Sequence, residues 1–389
     1  MPVLPEIAAF HGDMTAWRRD FHMHPELGYQ ETRTAATVAA HLESFGVSVH
    51  RGLGKTGVVG SLTAGSGKGS IGLRADMDAL PIEEQNELPY RSRHPGRMHA
   101  CGHDGHVTML LGAARHLART RNFDGTVHFI FQPAEEGLAG AAAMIADGLF
   151  EKFPMDSVYG LHNAPRRPLG SFYTRPGPVM ASSNDFDIVV EGRGGHAARP
   201  ETGVDPVVTA AHVVSALQTI VSRNVSALDT AVLSVTQIHG GSAYNVIPME
   251  VKISGNVRAY RPEIVDRIEA AIERIARGVA ATFGATIQFA FRRKYPPLVN
   301  HAREAAIAAD VAADIVGEEH VERNGPPRTA SEDFSFMLQR RPGAFIFLGA
   351  GDGATVTDVH NPGYDFNDAI LPIGASWFVR LVETSLPRS

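Results

Sequence analysis

The first half of the chain alternates stretches with helical and with strand-like spacing of hydrophobic residues. Small and apolar residues recur at helical spacing in residues 31–45 and 105–120, which predicts two helices. Short runs rich in apolar and β-branched residues at 70–74, 126–131 and 157–161 predict strands. Strands separated by helices are typical of an α/β domain, in which a mostly parallel sheet is covered by helices on both faces.

The pattern changes near residue 180 and changes back after the Pro296-Pro297 pair. Strand and helix patterns follow one another between these points in the order β-α-β-β-α-β, at residues 185–191, 205–223, 231–238, 251–260, 263–283 and 286–291. This order is that of the split βαβ, or ferredoxin-like, α+β sandwich. We therefore predict a main domain made of residues 1–180 plus 296–389 and an inserted domain at 181–295.

Composition and charge exclude several classes of protein. Hydrophobic residues make up 44% and charged residues 20%, which excludes a wholly disordered chain. The net charge is −6 and the longest basic run is residues 292–294, so we predict no binding to nucleic acid. The first residues carry no targeting signal, and no uncharged apolar stretch approaches about 18 residues. We therefore expect a cytoplasmic protein that does not bind membranes.

Five segments carry side chains suited to chemistry, and four of them come just after a predicted strand. They are Asp76-Met77-Asp78, Cys101-Gly102-His103-Asp104, Glu135-Glu136, His162 and His360. In open α/β sheets, ligands bind beyond the carboxyl ends of the strands. The chain has a single cysteine, so an internal disulfide is excluded. Its 18 histidines make these segments candidates for metal binding.

The residue types in these segments are those that a borderline divalent ion accepts. Thiolate, imidazole and carboxylate all bind such ions, and the pair Cys101 and His103 is flanked by glycines that allow the backbone to approach an ion closely. The adjacent Glu135 and Glu136 lie on a predicted turn, where they point in different directions. One of them can therefore bind a metal while the other acts as a base.

The motifs together resemble a known family. The chain is similar to the dinuclear metallohydrolases that include aminoacylase and carboxypeptidase G, and most similar to their amidohydrolase branch of hippurate hydrolases and indoleacetyl-amino acid (auxin-conjugate) hydrolases. The matching strings cover nearly the whole chain in family order and include residues 20–28, 73–81, 98–106, 132–137, 160–163, 194–198, 245–248, 255–258, 331–334 and 360–362.

The resemblance implies a dinuclear centre with two divalent ions, for which Mn, Zn, Co and Ni are all suitable. The implied metal ligands are Cys101, His103, Glu136, His162 and His360. Cys101 would bridge both ions as a thiolate, because other branches of the family place a bridging carboxylate there. Asp78 would orient a ligand without binding metal itself, and Glu135 would be the general base.

The resemblance also assigns a lid and dimer surface to the inserted domain, so we expect a homodimer or homotetramer formed through it. His196 would donate to the developing oxyanion. Arg258 is the expected clamp for a substrate carboxylate, because a guanidinium matches a carboxylate bidentately. Asn245 would support the same carboxylate or the carbonyl.

The leading hypothesis is an enzyme that cleaves N-acyl amino acids, a small-molecule substrate class, to a carboxylic acid and an amino acid. A dipeptidase or carboxypeptidase of the same fold is one alternative. A second is a hydrolase with Cys101 as nucleophile and His103 or His106 as its base, which leaves the two glutamates idle. A third is a binding protein with a structural metal, although such sites are usually closed by four ligands with no base beside them.

Overall fold

The computed structural model describes residues 3–351 and 357–388. The helices are α1 (Pro5–Ala8), α2 (His11–Met23), α3 (Thr32–Ser44), α4 (His103–Thr120), α5 (Glu135–Leu138), α6 (Gly140–Ala146), α7 (Leu149–Lys152), α8 (Pro206–Leu217), α9 (Pro262–Thr282), α10 (Ala302–Val316), α11 (Ser335–Leu338) and α12 (Leu371–Ser385). The strands are β1 (Ser48–Leu53), β2 (Gly57–Ala64), β3 (Ser70–Asp76), β4 (Gly125–Gln132), β5 (Ser157–Pro168), β6 (Phe172–Tyr173), β7 (Gly177–Met180), β8 (Ser183–Glu191), β9 (Gly195–His196), β10 (Ala231–His239), β11 (Val246–Ile247), β12 (Glu250–Ala259), β13 (Thr286–Tyr295), β14 (Leu298–Asn300), β15 (Val321–Glu322) and β16 (Gly343–Gly351).

The chain divides into two compact units. The first unit contains Met1–Val179, Val299–Pro326 and Asp333–Ser389, and the second contains Met180–Leu298 and Pro327–Glu332. The short segment Pro327–Glu332 belongs to the second unit although no hydrophobic pattern in the sequence set it apart.

The first unit is built on an eight-stranded sheet with the order β1-β2-β4-β3-β5-β16-β6-β15. Its centre is parallel, since β3 pairs in parallel with β4 and β5, and β5 pairs in parallel with β16. The expected helix-covered, mostly parallel sheet is thus confirmed. One edge is antiparallel: β1 and β2 are separated only by residues 54–56, and a parallel pair needs a crossover of about a dozen residues.

Buried strands and helices form the core of this unit. The central strand β16 is buried along its whole length, and α4 buries most of its residues. Trp377 on α12 is fully buried and its indole N–H donates to the carbonyl of Ala308 at 3.0 Å. Because the core fixes α4 and the central strands, the side chains at their ends occupy defined positions.

The second unit is an antiparallel sheet with the order β10-β12-β8-β13, joined by α8 and α9. Alternate residues of β8, namely Phe186, Ile188 and Val190, are fully buried in this unit's own hydrophobic core. The predicted ferredoxin-like order is observed. The predicted helix at 205–223 is wrong in its length, because α8 ends at Leu217 and a π-helical turn, Ile220–Asn224, follows it.

None of the helices within residues 3–351 and 357–388 has the length and apolar character needed to cross a membrane.

Candidate metal centre

The side chains singled out in the main domain come together where the central strands of the first unit end. Strand β3 ends at Asp76 and β4 ends three residues before Glu135. The prediction that the next strand ends at residue 161 is wrong, because β5 runs on to Pro168 alongside β16 and His162 lies within it. Helix α4 begins at His103, directly after Cys101-Gly102. This convergence follows from the parallel arrangement, because parallel strands deliver their carboxyl ends to one edge of the sheet.

Cys101 belongs to two groups of candidate ligands. In the first group, its sulfur and one imidazole nitrogen each of His103 and His162 lie within 4.8 Å of one another. In the second group, the same sulfur lies within that distance of a Glu136 oxygen and a His360 nitrogen. The five ligands that the family resemblance implied thus form two sets of three that share a single thiol.

The contacts in both groups are short. Cys101 Sγ lies 3.4 Å from His162 Nε2, and His360 Nε2 lies 3.2 Å from Glu136 Oε1. Sulfur, imidazole and carboxylate at these separations match the donor set that zinc and similar ions prefer.

One imidazole nitrogen of the cluster is buried without a hydrogen-bond partner. His103 Nε2 has no hydrogen bond within the described part of the chain. A buried polar atom without a partner costs about 1–3 kcal/mol, so such atoms call for an explanation. Coordination to an ion supplies one, because His103 belongs to a group of candidate ligands around Cys101. The residues present therefore fit a pair of divalent ions.

The electrostatics of the cluster favour the protonated forms of the Cys101 thiol and the His360 imidazole. Burial, and then the charge of Glu136, raise the pKa of the Cys101 thiol. Hydrogen bonds to Cys101 and Glu136 raise the pKa of His360 to about 10. Ligands must lose their protons before they bind an ion, so metal binding here releases protons.

Asp78 contacts two of the candidate ligands. Its Oδ1 lies 3.3 Å from His103 Nδ1, the ring nitrogen opposite to the one left for an ion. Its Oδ2 accepts a hydrogen bond from the backbone N–H of Glu136 at 2.9 Å. A carboxylate behind a histidine fixes the tautomer and the orientation of the ring.

His106 faces the cluster with both ring nitrogens already engaged. Its Nδ1 is 2.6 Å from Asp76 Oδ1 and its Nε2 is 2.7 Å from Asn163 Oδ1. Asn163 in turn donates to the hydroxyl of Tyr364 at 2.8 Å. His106 therefore contacts Asn163, the residue that follows His162, and with Asp76 and His103 it also forms a further group of candidate ligands.

A buried ion pair fixes the start of α4. His22 Nδ1 lies 2.8 Å from the Oδ2 of Asp104, the residue after His103, and its Nε2 lies 3.3 Å from Glu84 Oε1. Burial disfavours the charged ring, but the hydrogen bonds to Asp104 and Glu84 raise the pKa of His22 to about 9. Sequence reasoning left His22 without a role, because its partners lie 62 and 82 residues away.

The backbone conformation and the surroundings of Gly102 both require a residue without a side chain. Its φ is +99°, and a Cβ added there would lie 2.4 Å from Asn163 Oδ1 and 2.9 Å from the Tyr364 hydroxyl. The absent side chain therefore makes room for these two groups, between the ligands Cys101 and His103.

Replacing Gly102 by alanine is expected to destabilise the fold by more than about 1 kcal/mol, because it combines a strained φ with overlap on a buried amide. The midpoint temperature of thermal unfolding and the metal content should both fall. Gly12 in α2 is the matched control, since nothing lies within 4 Å of the position that a Cβ would take there, and Gly12→Ala should leave both quantities intact. Equal behaviour of the two variants would contradict this account.

The Glu135-Glu136 turn has an irregular backbone that sends its two carboxylates to different partners. Ala134 has a φ of +55° and Gly137 a φ of +81°, and Glu136 has non-helical angles. Glu136 reaches His360, whereas Glu135 Oε1 accepts the backbone N–H of Asp333 at 3.3 Å. Glu135 also lies within 4.8 Å of the ligand atoms of His103 and Glu136. This geometry is compatible with the expected roles of Glu136 as a metal ligand and Glu135 as a base.

Two buried carboxylates that sequence reasoning missed hold this turn. Glu31 accepts the Ala134 N–H at 2.8 Å and the Thr56 hydroxyl at 2.6 Å. Asp333 contacts Glu135 through its backbone N–H. Asp333 lies inside a string that carried the family resemblance, whereas Glu31 lies just after one, and neither carried any other signal in the sequence.

His196, Asn245 and Arg258 belong to the second unit. His196 is exposed on β9 opposite Val246, and the carbonyl of its neighbour Asn245 accepts the N–H of Ala197 at 3.0 Å. Arg258 is half-buried on β12, where its Nε donates to Asn256 Oδ1 and its Nη1 donates to Ser331 Oγ, both at 2.8 Å. The fold brings His196 and Asn245 together, and it gives Arg258 neutral partners.

Known proteins match this chain over nearly its whole length. The sequence profile of peptidase family M20/M25/M40 matches residues 72–384. The chain is 44% identical over 381 residues to hippurate hydrolase of Campylobacter jejuni, and the match covers 98% of both chains. It is 36% identical over 375 residues to N-acetylcysteine deacetylase of Bacillus subtilis, and that match covers 96% of this chain and 97% of the other.

A solved structure gives the same answer for the fold. A Bacillus subtilis protein described as a dinuclear metal-binding peptidase of the M20 family matches with a TM-score of 0.85 and 32% identity, and the match covers 97% of this chain and 99% of that one. The resemblance inferred from the motifs, to amide-cleaving metal enzymes of this family, is confirmed.

Proposed function

This chain belongs to peptidase family M20/M25/M40, and we propose that within it the protein is a metal-dependent amidohydrolase that cleaves N-acyl amino acids to a carboxylic acid and an amino acid. One observation carries the proposal: Cys101 is shared by two sets of candidate ligands, with the carboxylate of Glu135 beside them. The hippurate and N-acetylcysteine of the relatives' names both have an acyl group in amide linkage to an amino acid.

Each residue of the site has a separate role in the proposed reaction. When bound, two divalent ions polarise the acyl carbonyl and lower the pKa of a water molecule. Cys101 with His103 and His162 would hold one ion, and Cys101 with Glu136 and His360 the other. Glu135 takes a proton from the attacking water and passes it to the leaving amine. His196 donates to the carbonyl oxygen as negative charge develops on it.

The test of this function is a hydrolysis screen. Purified protein with Mn, Zn, Co or Ni added should cleave some members of a panel of benzoyl, acetyl and indoleacetyl amino acids, and a chelator should abolish the activity. Activity that survives complete metal removal would contradict the proposal and favour Cys101 as a nucleophile. Cleavage of dipeptides alone would instead identify a dipeptidase of the same fold.

Arg258 is proposed as the clamp for the substrate carboxylate. Burial lowers its pKa, and no carboxylate in the described part of the chain forms an ion pair with it. A charge-assisted pair contributes about 1.5–3 kcal/mol, so Arg258→Ala should lower kcat/KM for hippurate by about 10- to 150-fold. Steady-state kinetics on hippurate measure this loss.

Hippuramide, which lacks the charge, is the control substrate. It should be poor for the wild type and little changed by the substitution. Arg258→Lys should recover only part of the loss, because lysine offers a point charge where arginine offers a fork. An equal loss on hippurate and hippuramide would assign Arg258 to another role.

A further inference from the structure

The carboxylate of Glu135 is held by a residue far away in the sequence. Its Oε1 accepts the backbone N–H of Asp333 at 3.3 Å, 198 residues further along the chain. Glu135 is 7% exposed and Asp333 is fully buried. The position of the Asp333 backbone therefore bears directly on where the Glu135 carboxylate lies.

The side chain of Asp333 is fixed by donors on both of its oxygens. Oδ1 accepts from Arg74 Nη2 at 3.2 Å and from Gln132 Nε2 at 2.8 Å, and Oδ2 accepts the backbone N–H of Ala141 at 2.9 Å. Gln132 ends β4 just before the Glu135 turn, and Ala141 lies in the helix just after it. Asp333 thus ties together the two ends of the turn that carries Glu135.

Arg74 connects this arrangement to the metal side of the site. Its Nε donates to Gln132 Oε1 and its Nη1 donates to Asp76 Oδ2, both at 2.8 Å. Asp76 Oδ2 in turn lies 3.6 Å from His103 Nε2. Arg74, Asp76 and Asp333 are each 1% exposed or less. The guanidinium of Arg74 therefore contacts both the carboxylate of Asp76 and the carboxylate of Asp333.

We propose that Asp333, held by Arg74 and Gln132, is a positioning residue that places Glu135 relative to the metal ligands. The inference rests on the proposed role of Glu135 as the base. Proton transfer requires hydrogen-bond reach, and a displacement of about 1 Å at the reacting groups can cost about 10²-fold in rate. A loosened Asp333 would leave the ligand groups around Cys101 intact while Glu135 loses its alignment.

Asp333→Asn tests the proposal. The amide keeps the shape but turns one acceptor oxygen into a donor, which then faces the N–H groups of Ala141, or of Arg74 and Gln132. We expect kcat to fall by about 10- to 100-fold, with KM and metal content within a factor of two of the wild type. Glu304→Gln is the matched control, because it makes the same kind of change at a buried carboxylate of α10 and should leave kcat unchanged.

A double variant separates positioning from a merely structural role. If Asp333 acts through Glu135, then Asp333→Asn should cause little further loss in a Glu135→Gln background. A structural role would lower the rate by the same factor in both backgrounds, and that result would overturn the proposal. An unchanged kcat in the single variant would overturn it as well.

A second variant keeps the test usable if Asp333→Asn folds poorly. Gln132→Met removes one donor from Asp333 and leaves those of Arg74 and Ala141, so a smaller loss of kcat is expected, again absent in the Glu135→Gln background. The same loss in both backgrounds would overturn the proposal. Full turnover by Glu135→Gln itself would overturn the proposed function, whereas an inactive Glu135→Gln beside a fully active Asp333→Asn would overturn this inference alone.

Discussion

Glu135→Gln is expected to lower turnover by about 10²- to 10⁴-fold while the protein keeps both ions, because loss of a general base costs that much in rate. Glutamine retains an oxygen that can accept the Asp333 N–H, so the turn should keep its geometry. The side chain can no longer take a proton from water. Steady-state kinetics at saturating substrate, paired with elemental analysis of metal per chain, measure the two quantities.

Glu136→Gln is the informative comparison for this variant. It changes the neighbouring carboxylate in the same way, but Glu136 contacts His360 and belongs to a ligand group, so its loss should reduce metal content as well as turnover. Near-wild-type turnover by Glu135→Gln would show that another group accepts the proton. Loss of both ions from Glu135→Gln would show that Glu135 is itself a ligand.

Cys101→Ser should remove both ions, and activity with them. Its sulfur is common to both ligand groups, so its loss weakens both sites at once. A serine hydroxyl is similar in shape but is a far weaker ligand than a thiolate for such ions. Metal per chain after desalting, measured by elemental analysis, should fall from two toward zero.

Variants at the unshared ligands give the contrast. Glu136→Ala leaves the group of Cys101, His103 and His162 complete, and His162→Ala leaves the other group complete, so each should retain one ion. Retention of two ions by Cys101→Ser, or loss of both by each single-group variant, would contradict a bridging thiolate.

The order of the helices and strands was predictable because hydrophobic spacing is a local property. The inserted sandwich could be identified from its β-α-β-β-α-β order alone, and its strand pairing followed. The break after Leu217 and the second-unit segment 327–332 could not be predicted, because each depends on tertiary contacts and not on spacing.

The candidate ligands were accessible from the sequence because each is a residue type that binds metal ions and lies in or beside a string that resembles a family. The residues that hold them were not. Arg74, Glu31 and His22 are charged or titratable side chains, and each is buried with a hydrogen-bond partner more than 20 residues away. A single sequence gives no local signal for such partners.

The two candidate ligand groups that share Cys101 are completed at different points along the chain. Cys101 enters the nascent chain early, but the group that it forms with Glu136 and His360 is incomplete until residue 360 of 389 has been added. The second unit, with its own hydrophobic core, is fully translated by residue 332. On the ligand assignment proposed above, the group of Cys101, His103 and His162 is complete before the inserted unit is translated, whereas the group with Glu136 and His360 is complete only after it, so the second ion would bind later than the first.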